Sequence, residues 1–139
     1  MDPRPPVREV LDPAVPPGLL AILDALALVA FVLVGMHSHH EATATEVFAR
    51  NAVPLLVCWF AAAALMHTYR PGQGRWGFLR TWVVAVPVAL LLRTWIVGSP
   101  SEPGRIALFV AIGMTFTLVF LVVVRLATRY VTGAMSRRA

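Results

Sequence analysis

The chain has 139 residues, enough for one domain at most, with 58% hydrophobic and only 14% charged residues. Soluble domains carry roughly 25% charged residues, so a soluble fold of this size is excluded and lipid is the natural solvent. The net charge of +5 comes from arginine alone, since all twelve basic residues are Arg. Because they are scattered among apolar segments and not gathered on one face, nucleic acid is excluded as a partner.

The first segment, 1–18, is rich in proline and mixed charge and reads as a cytoplasmic tail. Its charges and length do not fit a signal peptide. Four apolar segments follow, predicted as helices over about 19–36, 51–69, 78–97 and 106–127, because open strand edges do not survive in lipid. "RPGQGR" (70–75) and "GSPSEPGR" (98–105) are tight turns that make neighbouring helices antiparallel. "EATATEVFAR" (41–50), between the first two helices, is expected to be a helical or interfacial piece. Residues 131–139 form a basic tail. The expected fold is an all-α membrane protein, four transmembrane helices in an up-down bundle.

Arginine sets the orientation. The N-terminal tail, the second loop and the C-terminal end hold nine arginines against three for the opposite side. Both termini are therefore expected in the cytoplasm of a cell bounded by this plasma membrane, with "HSHHE" (37–41) outside.

Asp24 and Arg93 lie within the spans, where a charge is costly and is a functional candidate by default. At about 1.5 Å per residue, Asp24 sits about 8 Å deep from one side and Arg93 about 6 Å from the other, leaving about 16 Å between them in a core of about 30 Å. They are not expected to touch. By depth, Asp24 shares its leaflet with Arg80 and Arg125, and Arg93 shares its own with Glu41 and the histidines. Asp24 is expected to tie the first helix to its neighbours while Arg93 snorkels outward; the functional alternative is an ion or proton path from Asp24 to the outer polar cluster. On a helix, Asp24, Phe31, Gly35 and Ser38 fall within about 40° of one another, and His39 about 60° from Asp24. Asp24 and Ser38 are thus expected to face the bundle interior, with Gly35 allowing close approach of a partner helix.

Three histidines crowd one short stretch. His37 and His40 are three apart and His37 and Glu41 four apart, spacings that on a helix permit a divalent metal or, with one axial histidine, haem. No HExxH motif accompanies them, and a polar helix end is the blander reading. Gly113 marks a packing surface on the fourth helix, while Pro54 and Pro87 are candidate kink positions. Cys58, the single cysteine, cannot form a disulfide within the chain and reads as a small packing residue. There is no Gly-rich phosphate loop, Cys–His nucleophile pair or paired intramembrane carboxylate, so no enzyme activity is expected.

These residues form a pattern. Asp24 stands early in the first helix, which ends on Gly35, Ser38 and His39. A proline-led helix with Pro54 and Trp59 comes next, then Leu91-Leu92-Arg93 ends the third and an Arg closes the fourth. The pattern resembles the domain of unknown function 3054 family, small prokaryotic integral membrane proteins, over roughly residues 20–125. The resemblance implies a four-helix membrane protein with no known activity, and points to Asp24, Gly35, Ser38, His39, Pro54, Trp59 and Arg93 as the positions that matter. In the family an Arg usually follows the Gly; here it is Met36, which removes the paired arginine that an anion site at the end of the first helix would use.

The expected function is that of a small non-enzymatic binding or permeation protein, or an accessory subunit of a membrane complex, with a polar site of Ser38, His39 and Arg93 near the outer face. Its expected partners are the lipid bilayer and further copies of itself or other membrane subunits. The alternative is a haem- or metal-binding redox protein using His37, His39 and His40.

Overall fold

The computed structural model describes residues 15–39, 45–71, 73–98 and 102–136. They form four helices, α1 (Pro17–Ser38), α2 (Thr45–Leu65), α3 (Gly74–Val97) and α4 (Pro103–Ser136), with no strand among the described residues. Each contains a stretch long and apolar enough to cross a membrane. The α2–α3 hairpin is the most closely packed pair; α1 lies against α2 and α4, and α3 against α4, which closes the four into a bundle.

The helix limits follow from local chemistry. α1 and α4 begin on Pro17 and Pro103, where the missing proline N–H would have no helical partner anyway. α1 therefore starts inside the segment expected to be tail, and α4 runs on to Ser136, well past 127. At 34 residues, α4 is about 51 Å long, more than the hydrocarbon core of about 30 Å. α2 starts at Thr45 instead of 51, because Val47 and Phe48 pack against the core and draw their turn into the helix.

α2 also ends earlier than expected, at Leu65 instead of 69. His67 adopts a left-handed φ of 53°; its N–H donates to the Ala64 carbonyl (3.3 Å) and the Thr68 N–H to the Ala63 carbonyl (3.0 Å). This is the paired-bond termination usually built on glycine, here on histidine. It turns the chain so that Tyr69 leaves the helix path. α3 ends on Gly98 (φ 72°), whose N–H donates to the Thr94 carbonyl at 2.9 Å. Glycine, without a Cβ, takes this positive φ at no steric cost.

The core runs along the bundle axis through Ala27, Leu28, Val32, Leu55, Trp59, Ala85, Val86, Ala89 and Leu121. Alanines on three helices let the backbones approach, as membrane bundles require in the absence of a hydrophobic drive between helices. Gly113 does the same: a Cβ there would lie 2.6 Å from Leu90 Cδ1, so α3 and α4 close over that glycine. Gly35 does not act this way. Nothing lies within 4 Å of a Cβ built on it, so the expected close approach to a partner helix does not occur there.

Polar atoms are matched throughout: among the described residues no buried side-chain nitrogen or oxygen lacks a hydrogen-bond partner. Thr81 and Thr117 return their hydroxyl protons to the carbonyls of Gly77 (3.0 Å) and Gly113 (2.7 Å), and the Thr68 and Thr81 hydroxyls bond to each other. The Trp82 indole N–H reaches the Met114 carbonyl at 3.2 Å, tying α3 to α4. In lipid no water replaces such bonds, which is why each polar side chain is spent on a specific partner. Pro54 and Pro87 sit inside α2 and α3; each removes one i→i−4 donor from its helix, and Pro54 is itself buried.

Candidate functional site

Two polar sets occupy opposite ends of the bundle. The first surrounds Asp24, which is 0% exposed. Arg125 of α4 grips its carboxylate with two bonds, Nη2 to Oδ2 at 2.7 Å and Nε to Oδ1 at 3.2 Å. Tyr69 donates its hydroxyl to Oδ2 at 2.8 Å, and the Trp59 indole N–H donates to the Tyr69 oxygen at 2.9 Å. The Arg125 guanidinium lies 4.3 Å from the centre of the Phe78 ring. Each helix and the α2–α3 turn supplies one member. Two parallel charge-assisted bonds fix direction as well as distance, and the bonds from Trp59 through Tyr69 point the same way, so each polarises the next.

Of the two arginines expected at the depth of Asp24, it is Arg125 that pairs with it. Arg80 is exposed and bonds instead to the Gln73 side chain (3.0 Å) and the Trp76 carbonyl (3.3 Å). The signal for Tyr69 was its position: a tyrosine just after an apolar segment, at the depth of Asp24, with a hydroxyl that needs a partner.

The second set lies at the other end. Arg93, half-buried, donates Nε to Asn51 Oδ1 at 2.7 Å, and its guanidinium stands 5.1 Å from the Phe109 ring centre. Asn51 is oriented by its own bond from Nδ2 to the Val47 carbonyl at 2.8 Å. Arg93 therefore does more than snorkel: it ties α3 to α2. Asn51 went unremarked in the sequence because it stands at the edge of an apolar run, where asparagine is unexceptional.

Ser38 is exposed, against the expectation that it faces the interior with Asp24. Its hydroxyl donates to the Gly35 carbonyl at 3.0 Å, the backward bond by which serine satisfies itself within its own helix. On the helix Ser38 shares the Asp24 face, but among the described residues no neighbouring helix covers that face at this end of the bundle. A pocket of about 440 Å³ opens there instead, with Ser38, His39, Asn51, Arg93 and Arg105 among its lining residues. Gly35, beside which a side chain would find open space, lines it too. The volume lies within the range of about 300–1,000 Å³ typical of ligand sites. The walls are apolar, with Val34, Leu108, Phe109, Ile112 and Phe116 prominent. Phe31 and Phe120, the pocket residues nearest Asp24 along α1 and α4, meet edge to face with centroids 6.3 Å apart.

Leu28 and Leu121, each 1% exposed or less, stand with Phe31 and Phe120 between Asp24 and the pocket. His37 and His39 are exposed, and among the described residues no group of three His, Cys, Asp or Glu could hold a metal ion. His40 and Glu41, the remaining members of the candidate metal set, lie outside the described residues.

Arg93→Ala is expected to lower stability by about 1–2 kcal/mol through the loss of a charged hydrogen bond, and Arg105→Ala by less than about 0.5 kcal/mol. Among the described residues Arg105 pairs with its helix neighbour Glu102, at 3.2 Å, and both side chains are at least 70% exposed. Thermal unfolding of the two variants in one detergent checks the order; equal melting temperatures would contradict the contact between α2 and α3.

A family model described as "Protein of unknown function (DUF3054)" matches residues 21–128. No curated protein and no solved structure matches the chain.

Proposed function

Since the chain belongs to the domain of unknown function 3054 family, whose description names no activity, its own pocket is the guide to its role, and we propose that it is a non-enzymatic membrane protein that binds an amphiphilic small molecule in the space among its four helices. The observation that carries this reading is the pocket itself: apolar walls rising from the Phe31–Phe120 contact to a rim of Ser38, His39, Asn51, Arg93 and Arg105. A cavity with one apolar end and one polar end suits a molecule with the same division.

Binding is favoured over permeation by what lies beneath the pocket. The aromatic contact and the packed Leu28 and Leu121 offer no polar route towards Asp24, and the Asp24–Arg125 pair ties α1 to α4 at the far end. The arginine count, nine against three, supports a plasma-membrane protein with both termini cytoplasmic. On that orientation the pocket rim faces the outer surface.

Gly35→Leu tests the proposal, because it sends a side chain into open space beside the pocket without a clash at Cβ. Wild-type chains released from nanodiscs of phosphatidylcholine and phosphatidylglycerol and weighed by native mass spectrometry are expected to retain one lipid each. Gly35→Leu chains are expected to retain none while keeping their melting temperature, since leucine suits a helix better than glycine. Equal lipid retention by both proteins would remove the basis for the reading.

A further inference from the structure

We infer that the pocket takes one acyl chain of a bilayer phospholipid, which enters sideways between α1 and α4 and ends against the Phe31–Phe120 contact; this rests on the binding reading above. Shape comes first. Along α4 the lining residues run from Arg105 to Phe120, about 22 Å of helix rise, more than one leaflet of a core of about 30 Å. The site is thus a slot parallel to the helices, the direction in which an acyl chain already lies. At its deep end Phe31 and Phe120 meet, with the packed Leu28 and Leu121 beyond them. The Asp24–Arg125 pair then holds α1 to α4. Towards the rim α1 stands away from its neighbours, since a Cβ on Gly35 would meet nothing within 4 Å.

The opening decides the source. Four of the lining residues, Val34 of α1 and Leu108, Ile112 and Phe116 of α4, are between 49% and 61% exposed. Ile112 and Phe116 stand about 10 and 16 Å along α4 from Arg105, inside a stretch long and apolar enough to cross a membrane. What surrounds them there is hydrocarbon. The slot therefore opens through its side to lipid, and a chain reaches it without crossing water. Energetics favour filling it. A chain that moves from bilayer to slot gains nothing from the hydrophobic effect, because the two are equally apolar. It gains the close contacts that the lining of an unfilled apolar space lacks, and the bilayer supplies chains at a concentration no dissolved amphiphile matches. Arg93 is already engaged, by Asn51 at 2.7 Å and over the Phe109 ring, so recognition rests on the shape of the slot and not on charge. The polar rim lies where the ester and headgroup leave the slot.

The experiment uses the full chain in phosphatidylcholine nanodiscs with a trace of the same lipid carrying a diazirine at the tip of its palmitoyl chain. After photolysis, mass spectrometry of peptides locates the label. Phe31 and Phe120 are expected to be labelled about fivefold more than Val57, a ratio that corresponds to a preference of about 1 kcal/mol for the slot. Val57 is 60% exposed on α2 and stands about 9 Å along that helix from Asn51, so it serves as the lipid-facing reference at similar depth. In Gly35→Leu the ratio is expected to fall to parity. A probe with the diazirine beside the ester is expected to label Val34 and Leu108 instead. Parity in the wild type would mean that lipid only surrounds the bundle, and would overturn the inference. If Gly35→Leu still lost a lipid that the wild type retains in native mass spectrometry, the binding reading would stand without it; if neither protein retained lipid, both would fall. A fivefold ratio that persists in Gly35→Leu would place the chain outside the slot and overturn both. Free palmitic acid with the same diazirine, at the same share of the bilayer, is expected to give no higher a ratio, because the slot reads only the chain. A higher ratio would assign the slot to a free acid and overturn the phospholipid source.

Discussion

Asp24→Asn is expected to cost about 3 kcal/mol of unfolding free energy, the low end of the range for removing one partner of a buried ion pair. Asparagine keeps an oxygen for the Tyr69 hydroxyl but strips the charge that faces Arg125. The Arg125 side chain is 20% exposed, so its guanidinium would stay largely shielded and gain only partial solvation or headgroup contact in place of the carboxylate; that is why the low end of the range applies. Arg125→Met is expected to cost at least as much, because Asp24 at 0% exposure has no such escape. The informative variant is the double replacement Asp24→Leu with Arg125→Met. Removing both charges takes away the attraction and the desolvation cost together, and in well-packed sites such exchanges are often neutral. The double variant is therefore expected to be more stable than either single variant, a coupling of at least about 2 kcal/mol in a double-mutant cycle. Unfolding by denaturing detergent in mixed micelles measures it. Strictly additive losses would mean that the two residues act independently, in conflict with bonds of 2.7 and 3.2 Å.

The second large effect belongs to Trp59. It is the largest side chain in the bundle with no exposure, it meets the Phe78 ring at 6.1 Å, and its N–H holds the Tyr69 hydroxyl. Trp59→Ala is expected to cost about 3–5 kcal/mol. In lipid the loss is not one of water-driven burial, because a bilayer tail is as apolar as a leucine; it is the loss of close contacts around an unfilled space. Trp59→Phe separates packing from hydrogen bonding. It keeps much of the ring volume and removes the N–H, so it is expected to cost about 1–2 kcal/mol. Near-ultraviolet circular dichroism should also show Tyr69 in a changed environment in that variant. A Trp59→Ala protein as stable as wild type would contradict the central place given to this side chain.

These two sets of effects meet at one point. Trp59 orients Tyr69, Tyr69 and Arg125 hold Asp24, and Phe78 supports Arg125. One end of the bundle is thus cross-linked by polar bonds, while the other holds the pocket.

Several of these features were legible in the residues. Four apolar segments separated by Pro/Gly turns dictate four antiparallel helices, because lipid accepts no other pattern from such a chain. The depth of Asp24 selects its leaflet, and with it Arg125 as one of two candidate partners. The helix limits were less legible. Where α2 ends depends on His67 taking a left-handed conformation, and nothing in "LMHTYR" announces that, since histidine is not the usual residue for the place. Once α2 stops at Leu65, Tyr69 falls free of the helix period and its direction no longer follows from counting 100° per residue.

The membrane class, the number of spans, the antiparallel order and the costly charges were determined by the sequence alone, because each follows from composition, length and the price of polarity in lipid. Only the tertiary structure decided which groups meet. Tyr69 and Trp59 complete the Asp24 site, Asn51 takes Arg93, and Ser38 ends beside a cavity although it shares a helical face with a fully buried aspartate. Angular position on one helix says which way a side chain points, but whether another helix stands there depends on side chains from all four helices at once, and at the Ser38 end of this bundle the space is left open.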